Sequence, residues 1–238
     1  DVGMSDAPHD IGAAGGLGAD SAADAPQLDD AAVLWSAPPE ERAGRPLLVL
    51  LHGYGSNERD LFGLVPHLPQ EFVYAAVRAP LSPPFPAPGW SWFPIEGLHA
   101  SDPAAATAAA VAFADWVSRA TDAETPVGLL GFSQGSVIAL QALRLHPDRF
   151  SFVVNLAGFV ADGDLPTDAA LAERRPPVFW GRGARDEVIP ADRVAHTIEW
   201  LPRHVELSGR VYPGLTHSVS EEELADVVAF LGTRLDAL

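Results

Sequence analysis

The segment from Val127 to Ser136 constrains the fold more than any other part of the sequence. An apolar run ends at residues 131–135, which read Gly-Phe-Ser-Gln-Gly, and a pattern typical of a helix follows directly. A sharp turn from strand to helix brings backbone so close to itself that only glycine fits at the two flanking positions. The segment therefore predicts a buried strand, a tight turn that exposes Ser133, and a helix that ends near Pro147.

Ser133 is a candidate nucleophile, because a helix N-terminus offers unpartnered N–H groups that favour a developing negative charge. A match to this five-residue pattern arises by chance in roughly one of ten such chains, so its context has to support it. The alternative is a glycine-rich turn in an α/β fold with an incidental serine.

Further apolar segments predict strands that alternate with helices. The strands are expected at residues 31–35, 46–51, 73–77, 126–132, 152–156, 177–180 and 205–212, and the other helices at 57–64, 104–120, 191–201 and from 220 onwards. This alternation predicts an α/β fold with a mostly parallel central sheet and helices on both faces. We expect an N-terminal arm at residues 1–30 and one domain at residues 31–238.

The composition limits the function classes. The chain has 32 acidic and 15 basic residues, a formal net charge of -17 and no cysteine. Such a charge argues against nucleic acid as a partner, and the lack of cysteine excludes thiol nucleophiles, disulfides and thiolate metal sites. No apolar run approaches the length of a membrane span, and the N-terminus lacks a secretory-signal pattern, so we expect a cytoplasmic protein whose translation starts at Met4.

A serine nucleophile needs a base, and His217 is the best candidate. Of the histidines that follow Ser133, it alone lies in a loop between a predicted strand and a predicted helix. The others lie within predicted elements or at their ends: His146, His196 and His204. The alternative for His217 is a histidine on a surface loop.

The base in turn needs a carboxylate, and Asp186 is the best candidate because it follows a buried strand. Its neighbour Glu187 is the rival, although a solvated side chain explains Glu187 more simply. The chain order of serine, acid and histidine is the one found in α/β-hydrolases.

Two backbone amides are candidates for an oxyanion hole. One belongs to Gln134, which follows the nucleophile, and the other to Tyr54 in the His-Gly-Tyr-Gly segment after an early strand. A long aromatic and proline-rich loop also contains Trp90, Trp92 and Phe93, which we predict to bind substrate. The alternatives are a simple turn at Tyr54 and ordinary core packing of the aromatic residues.

Four segments together resemble the phospholipase/carboxylesterase family of α/β-hydrolases, which includes acyl-protein thioesterases. The segments are residues 51–55, 131–135, 183–190 and 214–217, in the same order and spread as in that family. The resemblance covers roughly residues 30–238. Ser136 stands where the family often has glycine. Ser56-Asn57 stands where an aspartate commonly follows the His-Gly-x-Gly segment in the thioesterase branch. The resemblance is therefore closer to the bacterial carboxylesterase branch.

The resemblance implies a serine carboxylesterase that acts on small to medium acyl esters without a metal or an organic cofactor. Small-molecule esters are then the expected partners, and whether two copies form a homodimer stays open. The alternatives are an acyl thioesterase or lysophospholipase that uses the same residues, or a ligand-binding protein that has kept the hydrolase fold.

Overall fold

The computed structural model describes residues 25–95 and 102–238, in which seven strands form one sheet in the order β1-β3-β2-β4-β5-β6-β7. Neighbouring strands are parallel, except that β1 pairs antiparallel with β3. The strands are β1 Leu34–Trp35, β2 Leu47–Leu51, β3 Val73–Val77, β4 Val127–Phe132, β5 Phe150–Leu156, β6 Pro177–Gly183 and β7 Glu206–Tyr212.

Helices follow most of the strands along the chain. In the described residues they are α1 Arg59–Phe62, α2 Pro103–Ala120, α3 Gln134–Leu145, α4 Asp168–Arg174, α5 Ala191–His204 and α6 Glu221–Asp236. Single 3-10 turns lie at Asp30–Ala32, Pro39–Glu41 and Val65–His67. No helix among the described residues is both long enough and apolar enough to cross a membrane.

Two apolar cores cover the two faces of the sheet. Leu47, Val49 and Leu51 of β2 point into the core formed with α2 and α3, while Leu48 and Leu50 point into the core formed with α1 and α6. This alternation follows from the two-residue period of a strand, and all five side chains are buried, as expected for a central parallel strand. The predicted mostly parallel sheet with helices on both faces is confirmed.

The structure corrects some of the predicted boundaries. The first strand is limited to Leu34–Trp35, and the helix expected at residues 57–64 is limited to Arg59–Phe62. Helix α4 was not predicted, because it lies in an acidic segment without a clear apolar period. Most of the predicted N-terminal arm, residues 1–24, lies outside the described residues, whereas Leu28 is buried in the core.

Candidate active site

Ser133 lies at the turn between β4 and α3 in a conformation that L-residues seldom adopt. Its φ is 55° and its ψ is -119°, so the backbone is strained at this position. A Cβ atom on Gly131 would lie 2.5 Å from the Ser136 nitrogen, and one on Gly135 would lie 2.1 Å from the Leu51 carbonyl oxygen. These contacts explain why both flanking positions require glycine.

Ser136 strengthens the same turn. Its buried hydroxyl donates a hydrogen bond to the Gly131 carbonyl and accepts one from the Leu156 N–H at 3.2 Å. The Leu156 carbonyl accepts a hydrogen bond from the Ser133 N–H at 2.8 Å. Ser136, at the position where the family often has glycine, thus bonds the turn to the end of β5.

Three of the predicted residues meet at the carboxyl edge of the sheet. His217 Nε2 lies 2.9 Å from Ser133 Oγ, and His217 Nδ1 lies 2.7 Å from Asp186 Oδ2. The other carboxylate oxygen, Oδ1, accepts hydrogen bonds from the N–H groups of Val188 at 2.9 Å and Ile189 at 3.2 Å. With Asp186 ionised, Nδ1–H donates to it, which leaves Nε2 free to accept the Ser133 proton.

The loops that carry Asp186 and His217 are packed against each other. A Cβ atom on Gly183 would lie 2.0 Å from the Leu215 carbonyl oxygen, so glycine is required for this close approach. The Ala184 N–H also donates a hydrogen bond to the Tyr212 carbonyl at 2.9 Å. These backbone contacts between the ends of β6 and β7 set the distance from the carboxylate to the imidazole.

The backbone amide of Gln134 opens α3 directly after Ser133, and that of Tyr54 lies in the loop after β2, where a Cβ atom on Gly53 would lie 3.4 Å from the Ser133 Cβ. Within the described residues, neither N–H donates a hydrogen bond to the protein. The absence of an intrahelical acceptor at Gln134 follows from its place as the first residue of α3. Both amides are therefore available to a ligand oxygen.

His52 holds the Tyr54 loop in place through two hydrogen bonds of its imidazole, which is in the neutral form. Its Nε2 accepts a hydrogen bond from the Ala79 N–H at 3.0 Å, so Nδ1 carries the proton and donates it to the Gly53 carbonyl at 2.7 Å. Burial lowers the pKa of His52, which favours this neutral form. The sequence pattern indicated the loop but not this role for its histidine.

The aromatic loop is largely a packing element. Trp92 and Phe93 are 1% and 3% exposed, and Trp92 Nε1 donates a hydrogen bond to the His52 carbonyl at 2.9 Å. Trp90 is half-buried, with the Arg78 guanidinium carbon 4.7 Å from its ring centroid. The structure thus gives Trp92 and Phe93 a supporting role in the core, and substrate binding by this loop stays a prediction.

A cleft of about 200 Å³ opens beside Asp186 at the same edge of the sheet. Its walls come from the ends of β5 and β6 and from the start of α5. Prominent among the lining residues are Ala157, Trp180, Arg182, Ile189 and Val194. No sequence pattern indicates this cleft, because its residues are far apart in the chain.

The rival candidates lie elsewhere. Glu187 is exposed, and His204 Nδ1 bonds to the Trp200 carbonyl within α5. Among residues 25–95 and 102–238, no group of three or more His, Asp or Glu side chains is arranged to hold a metal ion.

The sequence matches the phospholipase/carboxylesterase family over residues 36–235. The chain belongs to this family. A curated relative, acyl-protein thioesterase 1 of Debaryomyces hansenii, is 35% identical over 104 residues, which are 42% of this chain and 45% of the relative. The same enzyme of Candida albicans is 37% identical over 109 residues, 42% of this chain and 46% of the relative. The matched part thus spans about half the length of these relatives.

Two solved structures share the fold. The acyl-protein thioesterase 2 of Zea mays has a TM-score of 0.72 and 22% identity, and the match covers 85% of this chain and 98% of that chain. The carboxylesterase of Mesorhizobium loti has a TM-score of 0.67 and 22% identity, over 80% of this chain and 90% of that chain. The expected family and the α/β-hydrolase fold are confirmed.

Proposed function

We propose that this protein is a serine carboxylesterase that hydrolyses small to medium acyl esters. The observation that supports this function best is the continuous contact from Asp186 through His217 to Ser133, at 2.7 and 2.9 Å. A serine hydroxyl bonded to an imidazole that is oriented by a carboxylate is the arrangement needed for nucleophilic attack on a carbonyl carbon.

In the proposed mechanism, Ser133 Oγ attacks the ester carbonyl carbon while its proton passes to His217 Nε2. The carbonyl π electrons move onto the oxygen, and Asp186 stabilises the imidazolium that forms. His217 then protonates the leaving alcohol as its bond to the acyl carbon breaks. A water molecule attacks the acyl-enzyme in the same way, with His217 as base, and releases the carboxylic acid and free Ser133.

The amides of Tyr54 and Gln134 are proposed to bind the oxyanion of both tetrahedral intermediates. Their N–H groups make no hydrogen bond within the described residues, so they lose no protein contact when they bind a ligand oxygen. Fixed donors of this kind typically supply about 2.7 to 4 kcal/mol each to transition-state stabilisation.

The cleft beside Asp186 supports a preference for small substrates. Its volume of about 200 Å³ is below the roughly 300 to 1,000 Å³ common for drug-sized ligands. Long acyl chains therefore find little enclosed apolar space in this part of the site.

An acyl thioesterase is the second candidate, because curated relatives are named acyl-protein thioesterases. Ser133, His217 and Asp186 would have the same roles, and a thiol would leave in place of an alcohol. The two activities differ in the substrate's leaving group and acyl length rather than in the catalytic residues.

Both functions are tested by comparing the parent protein with Ser133→Ala. Hydrolysis of p-nitrophenyl esters from acetate to palmitate is measured by absorbance, and hydrolysis of acetyl- and palmitoyl-thioesters by release of the free thiol. We expect a short-chain ester optimum that is lost in Ser133→Ala. A preference for palmitoyl-thioesters would favour the thioesterase, and turnover that persists without Ser133 would overturn both proposals.

A further inference from the structure

Arg182 is a half-buried cation in the wall of the cleft beside Asp186. Its guanidinium carbon lies 5.5 Å from the ring centroid of Trp180, and within the described residues it makes no hydrogen bond or ion pair. Arg78 and Arg144 bind the carboxylates of Glu58 and Asp168. The half-buried Arg42, Arg45 and Arg149 have no carboxylate partner in the described part of the chain, but each donates to a backbone carbonyl. In a chain with 32 acidic and 15 basic residues, an arginine left without a carboxylate partner in a cleft is available to an anionic ligand.

The surrounding wall also favours negative charge. Trp180 is 5% exposed, and its buried Nε1–H has no hydrogen-bond partner among residues 25–95 and 102–238. Helix α5 begins in the wall at Ala191, and its N-cap residue, Pro190, has no side chain able to bind the first amides. The N–H groups of Arg193 and Val194 donate to the Pro190 carbonyl, which leaves those of Ala191 and Asp192 available at the start of this 14-residue helix. Their partial positive charge adds to that of Arg182, while the Asp192 carboxylate in the same turn offsets part of it.

Asp186 is the carboxylate that lines the same cleft, and it is already engaged. Its oxygens accept hydrogen bonds from His217 and from the N–H groups of Val188 and Ile189. In the proposed reaction His217 becomes positively charged, which offsets the charge of Asp186. The negative charge of Asp186 therefore repels a substrate anion bound at Arg182 only weakly.

The register of the sheet places Arg182 within a small molecule's reach of Ser133. Phe132 pairs with Leu156 and Leu156 pairs with Gly181, so Ser133 and Arg182 follow equivalent positions on β4 and β6. Two strand spacings separate their Cα atoms by roughly 10 Å. The cleft lies beside Ala157 at the end of β5, the strand between β4 and β6, and its walls include Arg182 and Asp186 but not Ser133.

We propose that Arg182 and the cleft form a subsite for a substrate carboxylate. The preferred substrates are then esters that carry a carboxylate a few carbon atoms from the scissile carbonyl. Such esters are either hemiesters of short dicarboxylic acids or acyl esters of hydroxy acids. The inference rests on the proposed esterase function, because it assigns a charge preference to that same site.

The proposal is tested by the ratio of kcat/KM for charged and neutral esters of similar size. p-Nitrophenyl hemisuccinate and hemiglutarate carry the carboxylate on the acyl side, and p-nitrophenyl butyrate and valerate are their neutral counterparts. Acetoxyacetate carries the carboxylate on the alcohol side, and propyl acetate, which has a single ester bond, is its neutral counterpart; both are followed by titration of released acid. The variants are Arg182→Gln and, as a matched control, Arg185→Gln, whose exposed side chain does not line the cleft.

We expect Arg182→Gln to lower the charged-to-neutral ratio by roughly 10- to 100-fold for one of the two ester types, the loss typical of a charge-assisted hydrogen bond. We expect Arg185→Gln to change the ratio less than threefold. An unchanged ratio in Arg182→Gln would overturn the subsite, and equal losses in both variants would show only a general effect of net charge.

A binding measurement separates failure of the subsite from failure of the esterase function. Glutaric acid monomethylamide resembles the hemiester but is far less reactive, and its binding is followed by calorimetry with the parent protein, Arg182→Gln and Arg185→Gln. We expect binding that weakens at least tenfold in Arg182→Gln alone. If no ester is hydrolysed but this pattern is found, the esterase proposal fails and the anion site stands; equal binding by all three proteins overturns the site.

Discussion

The side chain of Gln134 accepts a hydrogen bond from the backbone N–H of Trp92 at 2.7 Å. Its Nε2 also donates to the Phe93 carbonyl at 2.8 Å, and all three residues are buried. The residue after the candidate nucleophile thus connects the turn at Ser133 to the aromatic loop. The same residue supplies one of the two amides proposed to bind the oxyanion.

Gln134→Ala should therefore lower the free energy of unfolding by about 2 to 4 kcal/mol, because two buried backbone groups lose their partners. Urea unfolding gives this value, and Gln134→Glu should be no more stable than Gln134→Ala at neutral pH, because it places a buried carboxylate against the Phe93 carbonyl oxygen. An unchanged unfolding midpoint in Gln134→Ala would mean that water replaces both hydrogen bonds.

Asp186→Asn should lower kcat by about 10⁴-fold, because an amide no longer holds His217 in the tautomer that accepts the Ser133 proton. The kcat for the best p-nitrophenyl ester is compared with that of Glu187→Gln, a matched control at the exposed neighbouring position. We expect less than a threefold change in the control. Comparable losses in the two variants would contradict the assignment of Asp186 as the acid.

Glu223→Gln should stabilise the protein more at high pH than at low pH. The Glu223 carboxylate is 1% exposed and has no hydrogen-bond partner among the described residues. Burial and the neighbouring Asp226 raise the pKa of Glu223 to about 7. Since glutamate in an unfolded chain titrates near 4.3, the folded state binds the extra proton between about pH 4 and pH 7, and stability falls as the pH rises through this range.

The gain in unfolding free energy for Glu223→Gln should be about 3 to 4 kcal/mol larger at pH 8 than at pH 4. Urea unfolding at the two pH values measures it. Glu222→Gln removes the same charge from an exposed neighbouring position and serves as the control. If Glu222→Gln shows the same pH dependence, net charge rather than burial of Glu223 is the cause.

Arg144→Met should lower the free energy of unfolding by about 3 to 5 kcal/mol, because it leaves the Asp168 carboxylate buried without its partner. Arg144 is 1% exposed, and its Nε and Nη2 each lie 2.8 Å from an Asp168 oxygen. The double variant Arg144→Met/Asp168→Leu should recover only part of the loss, because the Ala161 and Gly163 carbonyls and the Leu165 N–H still lose their partners. Arg119→Met, which breaks an exposed ion pair with Asp30, should cost less than about 1 kcal/mol.

The residues at strand ends were the most predictable part of the site. Ser133, Asp186 and His217 each follow a strand that the apolar pattern identified, and parallel strands end at one edge of the sheet. Their meeting therefore follows from the topology. The distances between them do not, since they depend on the close contact between Gly183 and the Leu215 carbonyl.

The parts that sequence reasoning missed depend on contacts between distant residues. Helix α4 has seven residues and is held by the ion pair between Asp168 and Arg144, which lie 24 positions apart. Trp92 is buried although its loop is rich in proline, a composition that favours an exposed segment. Arg182 belongs to a predicted strand end, but the sequence does not show that it lacks a carboxylate partner.

The positive φ of Ser133 lowers the stability of the folded protein at the position of the candidate nucleophile. A glycine at this position would adopt the same backbone angle without steric cost, whereas serine bears a strain of about 1 to 3 kcal/mol. Selection of variants for heat resistance alone therefore favours replacement of Ser133, the candidate nucleophile, by glycine. Directed evolution of this protein has to select for turnover in every round, because heat resistance alone favours an inactive protein.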